Sequence, residues 1–363
     1  MGRETVLRRV RGMKVLAAAA VAFVALGTAA CGDDSDTGTS GDSSAPAKKN
    51  VKVGLAFDIG GRGDKSFNDS AAAGLDRVKS ELNLDVKDLA AVAGESENDK
   101  YSRLKLLCQS GYNPVIAVGF VYDGADAKNG PLARAAKDCP NTKFAIVDGG
   151  TTADNVADLV FAEEQGSFLV GAAAALKTKS GTVGFIGGCQ VDLIKKFEAG
   201  FTAGAKAAKA DVKVLTNYLS TPAEACKGFN DPTGGNTAAS GMYDQGADVI
   251  YAAAGGSGTG VFEAAKAKSK LAIGVDSDQY NTVTDAGLKP VIMTSMLKRV
   301  DNAVFNFVKD FAEDKFKAGP TVFDLKADGV GYATSGGQVD DIKDKLDAFK
   351  ADIVSGKITV PTK

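Results

Sequence analysis

Acidic residues and glycines gather in this chain at one kind of place, directly after short apolar runs. Asp58-Ile59-Gly60-Gly61 follows the run 51–57, Asp148-Gly149-Gly150 follows 143–147, Gly255-Gly256 follows 249–253, and Asp276 follows 271–275. A carboxylate in such a position accepts hydrogen bonds, and a glycine lets a backbone amide come close to a ligand. Asp123, after the run 115–118, adds an acceptor, and Lys298, after 291–296, adds a donor. This is the chemistry of binding. The chain has no histidine, which excludes Ser-His-Asp and Cys-His catalysis and histidine-ligated zinc. The glycine-rich stretch 255–260 lacks the Gly-Lys-Ser/Thr ending of a phosphate loop and does not have GxGxxG spacing, so nucleotide hydrolysis is not expected. No CxxC pair is present. Neither a metal nor a cofactor is expected.

The residues that could bind need elements that bring the ends of strands together. Apolar runs at 51–57, 115–118, 143–147, 155–161, 182–186, 212–216, 249–253 and 271–275 alternate with helical periodicity at 67–82, 100–110, 131–137, 166–176, 192–209, 237–245 and 261–268. Strict alternation predicts an α/β fold of parallel sheets with helices on both faces, and ligands bind such sheets beyond the carboxyl ends of the strands. The length suggests two doubly wound lobes joined by a hinge, with a cleft between them. The first lobe is expected over 51–160, completed by about 280–320, and the second over 161–279, completed by about 321–363. Cys108, Cys139, Cys189 and Cys226 allow three pairings. Cys108 with Cys139 and Cys189 with Cys226 keeps each bridge within one lobe and is the expected pairing.

Cys31 does a different kind of chemistry. Arg3, Arg8, Arg9, Arg11 and Lys14 form a basic head, an uncharged run follows over 15–26, and Thr28-Ala29-Ala30 leads into the cysteine. The run is too short to span a bilayer, which takes ~20 residues. A signal peptide over 1–30 that ends in small residues before a cysteine resembles the bacterial lipoprotein signal. It implies cleavage before Cys31, a lipid such as palmitate on that residue, and an extracytoplasmic protein anchored to the cell membrane. Residues 32–50 hold no large apolar side chain, so 31–50 is expected to be a flexible tether. Removing 1–30 leaves 38 basic residues against 44 acidic ones, and so no basic excess to attract nucleic acid.

Several strings together resemble one family. They are Gly63-Asp64-Lys65-Ser66-Phe67-Asn68, the stretch from Phe161 to Gly171, Val183-Gly184-Phe185-Ile186-Gly187-Gly188, Phe197-Glu198-Ala199-Gly200-Phe201, Ala253-Ala254-Gly255, Ile273-Gly274-Val275-Asp276-Ser277-Asp278-Gln279, and Thr294-Ser295-Met296-Leu297-Lys298-Arg299. In this order they resemble the basic membrane protein (BMP) family of lipoproteins, substrate-binding proteins of ABC importers. The resemblance implies a type I periplasmic-binding-protein-like fold, a nucleoside, purine first, as small-molecule ligand, ABC permease subunits as partners, and a monomer. It implies that Phe67 and Phe197 sandwich a base and that Ser66 and Asn68 stand beside them, Asn68 offering donor and acceptor to a purine edge. Asp276 would accept the two vicinal ribose hydroxyls, with Asp58 and Asp123 on ribose and base, Lys298 donating to ribose oxygens, and Gly255 presenting backbone. Two stretches depart from the family pattern: Gln190-Val191-Asp192 replaces a proline-containing turn, and 221–235 reads as an insertion that carries Cys226. Two other functions fit the residues. One is a receptor for a sugar or sugar-derived signal on the same fold. The other is a secreted nucleoside hydrolase using Asp58, Asp276 and Asp278 as carboxylates or Ca²⁺ ligands.

Overall fold

The structure, a computed structural model, describes residues 51–363. The expected leader, Cys31 and the tether lie outside the described residues. Strands β1 (Lys52–Ala56), β2 (Asp85–Leu89), β3 (Val115–Val118), β4 (Phe144–Val147) and β5 (Val156–Phe161) alternate with helices α1 (Phe67–Glu81), α2 (Glu97–Gln109) and α3 (Pro131–Asp138). After α4 (Glu163–Lys177) the pattern repeats: β6 (Thr182–Gly187), α5 (Asp192–Ala208), β7 (Lys213–Tyr218), α6 (Pro232–Asp244), β8 (Val249–Ala253), α7 (Gly258–Lys268), β9 (Leu271–Asp276), α8 (Gln279–Thr282) and β10 (Ile292–Lys298). The chain closes with α9 (Val300–Ala312), β11 (Gly319–Phe323), β12 (Val330–Tyr332) and α10 (Lys343–Val354).

Two six-stranded sheets result, in the orders β11-β5-β4-β3-β1-β2 and β12-β10-β9-β8-β6-β7. Every pairing is parallel except that of β12 with β10. The fold is the expected α/β type with two doubly wound sheets. Strands β3, β4 and β8 are buried along their whole length, as parallel strands covered on both faces must be. The helices begin where the local chemistry fits: Ser96 and Asp99 form a reciprocal capping box on α2, and Asp231 caps α6, which opens on Pro232. The bridges Cys108–Cys139 and Cys189–Cys226 are both formed, the pairing expected.

The lobe crossings differ from the expectation. The strand over 292–298, placed with the first lobe by the sequence, pairs with β9 in the second sheet, so the second lobe runs on to Lys298. The chain then crosses back. Helix α9 packs on α1, where the Asp301 carbonyl comes so close to Gly74 that a Cβ there would lie 2.5 Å from it. Strand β11 extends the first sheet beside β5, and β12 returns to the second. Three segments therefore join the lobes, at 161–163, 298–300 and 323–330. The rings of Phe161 and Phe323 stack between two of them with centroids 5.1 Å apart.

Candidate ligand-binding site

The carboxyl ends of both sheets face a common cavity with an empty volume of about 560 Å³ counting its mouth. Asp58, Phe67, Asn68, Phe197, Gly255, Asp276 and Lys298 line it, all of them singled out in the sequence. Asp64, Phe120, Asp148, Ile194 and Phe229 line it as well, although sequence reasoning gave none of them a role. Asp148 was visible as the acidic residue of a strand-end glycine cluster. For Phe120 and Phe229 the sequence carried no signal, because each sits in a short 3-10 turn without periodicity.

The two sheets place their acidic residues symmetrically. β4 and β9 hold the third place in their respective sheets, and Asp148 and Asp276 end them with φ of +65° and +64°. Left-handed backbone is disfavoured for residues with a Cβ and tends to collect at functional sites. Burial pushes the Asp276 carboxyl up to about 7, against the opposing pull of the Lys298 charge and of the Ser66 hydroxyl. That hydroxyl donates to Asp276 Oδ2 across 2.6 Å. Ser66 thus supports Asp276 from the other lobe and is not itself part of the wall.

Asp58 sits at the end of β1, where burial raises its carboxyl to about 7 even though the Ile59 amide donates to Oδ1 at 2.6 Å. Room for this side chain comes from Gly119, whose φ is +103° and where a Cβ would stand 2.7 Å from Asp58 Oδ2. Asn68 differs from the expectation of a free amide. Its Nδ2 donates to the Ile59 carbonyl (3.2 Å) and to Asp64 Oδ2 (3.0 Å), and its Oδ1 accepts from the Asp58 amide (3.2 Å). The side chain is taken up in shaping the 58–68 loop. Asp64 accepts from the amides of Ser66, Asn68 and Asp69 at the start of α1, but burial outweighs these bonds and raises its carboxyl above the ordinary range.

Lys298, at the end of β10, is only 1% exposed. Its Nζ lies 2.6 Å from Asp148 Oδ2 and 2.9 Å from Glu163 Oε1, and 5.3, 5.0 and 5.5 Å from the ring centres of Phe67, Phe161 and Phe197. Burial works against its charge, yet Asp148, Glu163 and Asp276 outweigh that and hold the ammonium well above the ordinary lysine range. Burial also keeps Asp148 above the ordinary carboxylate range despite the nearby ammonium. Asp148 Oδ1 is buried without a hydrogen-bond partner among the described residues. Asp123 does not reach the cavity wall; its Oδ1 accepts from Thr151 Oγ1 at 2.5 Å, which ties two loops of the first lobe together. Of the residues suggested as Ca²⁺ ligands, Asp58 and Asp276 line the cavity and Asp278 does not. Asp278 Oδ2 accepts from Asn281 and Ser335, and no group of three or more such residues among the described ones could hold a metal ion.

A bilobal α/β protein with a cavity at facing strand ends is built to bind, and comparison with known proteins gives its family. The family model described as "ABC transporter substrate-binding protein PnrA-like" (Bmp) matches residues 51–363. The chain belongs to the Bmp family. This Bmp protein is therefore an ABC transporter substrate-binding protein, of a family that binds solutes. It is 35% identical over 367 residues to the ABC transporter nucleoside-binding protein BmpA of Lactococcus lactis subsp. cremoris, covering 96% of this chain and 99% of that one. To an uncharacterized lipoprotein of Pyrococcus abyssi it is 33% identical over 300 residues, 78% of this chain and 69% of the other. Among solved structures, an ABC transporter solute-binding protein of Aeropyrum pernix K1 superposes with a TM-score of 0.73 at 30% identity, covering 86% of this chain and 94% of that one. Such relatives imply an extracytoplasmic location.

Proposed function

We propose that the protein is the lipid-anchored receptor of an ABC importer and that it binds a nucleoside, purine first, in the cavity between its lobes, as a monomer that hands the ligand to permease subunits. The observation that carries this reading is the convergence of two aromatic rings, Phe67 and Phe197, with the buried carboxylates of Asp58, Asp148 and Asp276 in one cavity. Stacked rings suit a base, since every base has a π face, and contribute ~1–3 kcal/mol each. Carboxylates suit vicinal hydroxyls. The four lining carboxylates face one lining ammonium, already paired twice, so a neutral ligand rich in donors fits and an anionic one does not. The Lactococcus relative named for nucleoside binding supports the ligand class. On this reading the carboxylates hold the ligand and catalyse nothing.

Calorimetry against inosine, adenosine, guanosine, hypoxanthine, ribose and arabinose tests the ligand. Nucleosides are expected to bind far more tightly than the free base or the sugars. Binding of a sugar alone would replace this reading with that of a sugar receptor, and hypoxanthine released from inosine would make the protein a hydrolase. The anchor rests on the leader, on Cys31 and on the Pyrococcus relative named a lipoprotein. Cys31→Ser is expected to leave inosine binding intact and to move the protein out of the membrane fraction, because a tether without apolar residues has no means of holding a bilayer. Full membrane retention of a lipid-free variant would overturn the anchor.

A further inference from the structure

We propose that Phe229, fixed in place by the Cys189–Cys226 bridge, is the lid residue that closes the ligand cavity from the second lobe and sets how long the ligand stays. The proposal rests on the nucleoside reading only for the choice of ligand in its first test.

The segment that carries Phe229 joins β7 to α6 and contains only two short 3-10 turns, Pro222–Glu224 and Lys227–Asn230. Ala225 and Cys226 both take left-handed backbone, with φ of +53° and +52°. Two such residues in succession are unfavourable by themselves, so the conformation depends on ties from outside. Those ties are dense. Cys226 is bonded to Cys189, which directly follows Gly188 at the end of β6. Ser220 Oγ donates to the Gly188 carbonyl at 2.7 Å and accepts from the Gly228 amide at 3.0 Å. Ser257 Oγ, next to the Gly255-Gly256 turn, donates to the Gly228 carbonyl and accepts from the Asp231 amide, both at 2.7 Å.

These ties press the Phe229 ring onto bare backbone. A Cβ at Gly188 would lie 2.3 Å from Phe229 Cδ1. Facing outward, the ring meets Phe120 of the first lobe edge-on, with centroids 6.4 Å apart at 63°, and both rings line the cavity. Phe229 and Phe120 therefore form an aromatic contact between the two lobes that exists only when the lobes are together. The other bridge provides an internal control. Cys108–Cys139 joins the carboxyl ends of α2 and α3, far along the chain from any lining residue, whereas Cys226 stands three positions before Phe229.

The test compares five variants of the full chain by inosine calorimetry and stopped-flow dissociation: Phe229→Ala, Phe229→Tyr, Cys189→Ser with Cys226→Ser, that pair combined with Phe229→Ala, and Cys108→Ser with Cys139→Ser. Phe229→Ala is expected to weaken inosine binding about tenfold, the size of one stacked aromatic, chiefly through faster dissociation, while Phe229→Tyr keeps near-parental affinity. Loss of the second-lobe bridge gives a loss of similar size. Combining it with Phe229→Ala adds little further. Loss of the first-lobe bridge lowers thermal stability but leaves affinity unchanged. Equal affinity losses from the two bridges, or unchanged affinity without Cys189–Cys226, would overturn the proposal. A ligand-free arm separates it from the nucleoside reading: hydrogen exchange over 219–231 should rise on loss of the second-lobe bridge and not of the first. If the parental protein fails to bind inosine, the nucleoside reading falls and the exchange result still decides whether the bridge holds the lid.

Discussion

Asp276 combines a left-handed backbone, deep burial and a hydroxyl donor from the opposite lobe, and each bears on how it should be tested. Alanine there would add backbone strain to the loss of charge, whereas asparagine tolerates left-handed backbone, keeps the shape, and removes the charge and one acceptor oxygen. Asp276→Asn is expected to reduce inosine affinity roughly ten- to a hundredfold, from weakened charge-assisted bonds of ~1.5–3 kcal/mol each, and to leave hypoxanthine unchanged because it has no ribose. Equal losses for both ligands in calorimetry would remove Asp276 from the ribose site. Asp58 gives a prediction in pH. Burial raises its carboxyl from 3.8 to about 7, so between those values the folded protein holds a proton that the unfolded chain releases. The favourable contribution is full below 3.8 and is lost as pH rises through about 7. Asp58→Asn should therefore unfold at a higher temperature than the parent at pH 8, by an amount equivalent to a few kcal/mol, and the gap should close near pH 4. A gap independent of pH would show that Asp58 ionises normally.

At the scale of elements, α4 carries a hinge charge at its start and packs closely on α5. α4 starts at Glu163, one of the two carboxylates on Lys298. It meets α5 backbone to backbone: a Cβ on Gly204 would lie 1.9 Å from the Phe168 carbonyl, and one on Gly171 2.0 Å from that of Phe201. Gly204→Ala is thus expected to push the helices apart and destabilise by about 1–3 kcal/mol. Gly241→Ala, on the exposed face of α6 with nothing within 4 Å of the new methyl, should instead stabilise by about 0.5–1 kcal/mol through the unfolded chain and helix propensity. Urea midpoints at unchanged slope would measure both. A neutral Gly204→Ala would mean that the helices can separate without loss.

For the whole molecule, closure is held by bonds that cross the cleft. Ser66 Oγ reaches Asp276, Ser277 Oγ reaches the Ser66 carbonyl at 2.9 Å, and Thr282 Oγ1 reaches that of Lys65 at 3.3 Å. A hinge of three segments lets the lobes part about one edge, and these bonds oppose the parting. Ser66→Ala, which removes the hydroxyl that reaches Asp276 Oδ2 at 2.6 Å and the Val275 carbonyl at 3.3 Å across the cleft, should enlarge the radius of gyration of the ligand-free protein in small-angle scattering. Inosine affinity should fall about tenfold, because a smaller share of molecules is competent to bind, and saturating inosine should restore the compact radius. An unchanged radius together with unchanged affinity would show that the cross-lobe bonds do not govern closure.

Local chemistry determined the alternation of elements, the parallel sheets and the strand-end residues Asp58, Gly255, Asp276 and Lys298, whereas Phe67, Asn68 and Phe197 were legible through the family resemblance and the cysteine pairing through the division into lobes. Apolar runs such as 249–253 and the acidic residues and glycines behind them are fixed by burial and turn geometry within a few residues of one another. β2 escaped notice because an edge strand with the sequence Asp-Val-Lys-Asp-Leu has no fully buried residue and shows no apolar run. What only the tertiary structure decided is everything that depends on partners far apart in the chain. The strand at 292–298 went to the second lobe because β9 offered it a free edge, a choice its own residues do not encode. Asn68 lost its freedom to the 58–64 loop, and Asp123 was drawn to Thr151. Lys298 acquired Asp148 and Glu163, at distances of 150 and 135 positions along the chain, because a buried charge must find opposite charges wherever the fold supplies them. Phe229 entered the cavity only because a bridge, two serines and a bare glycine backbone hold an otherwise irregular segment against it.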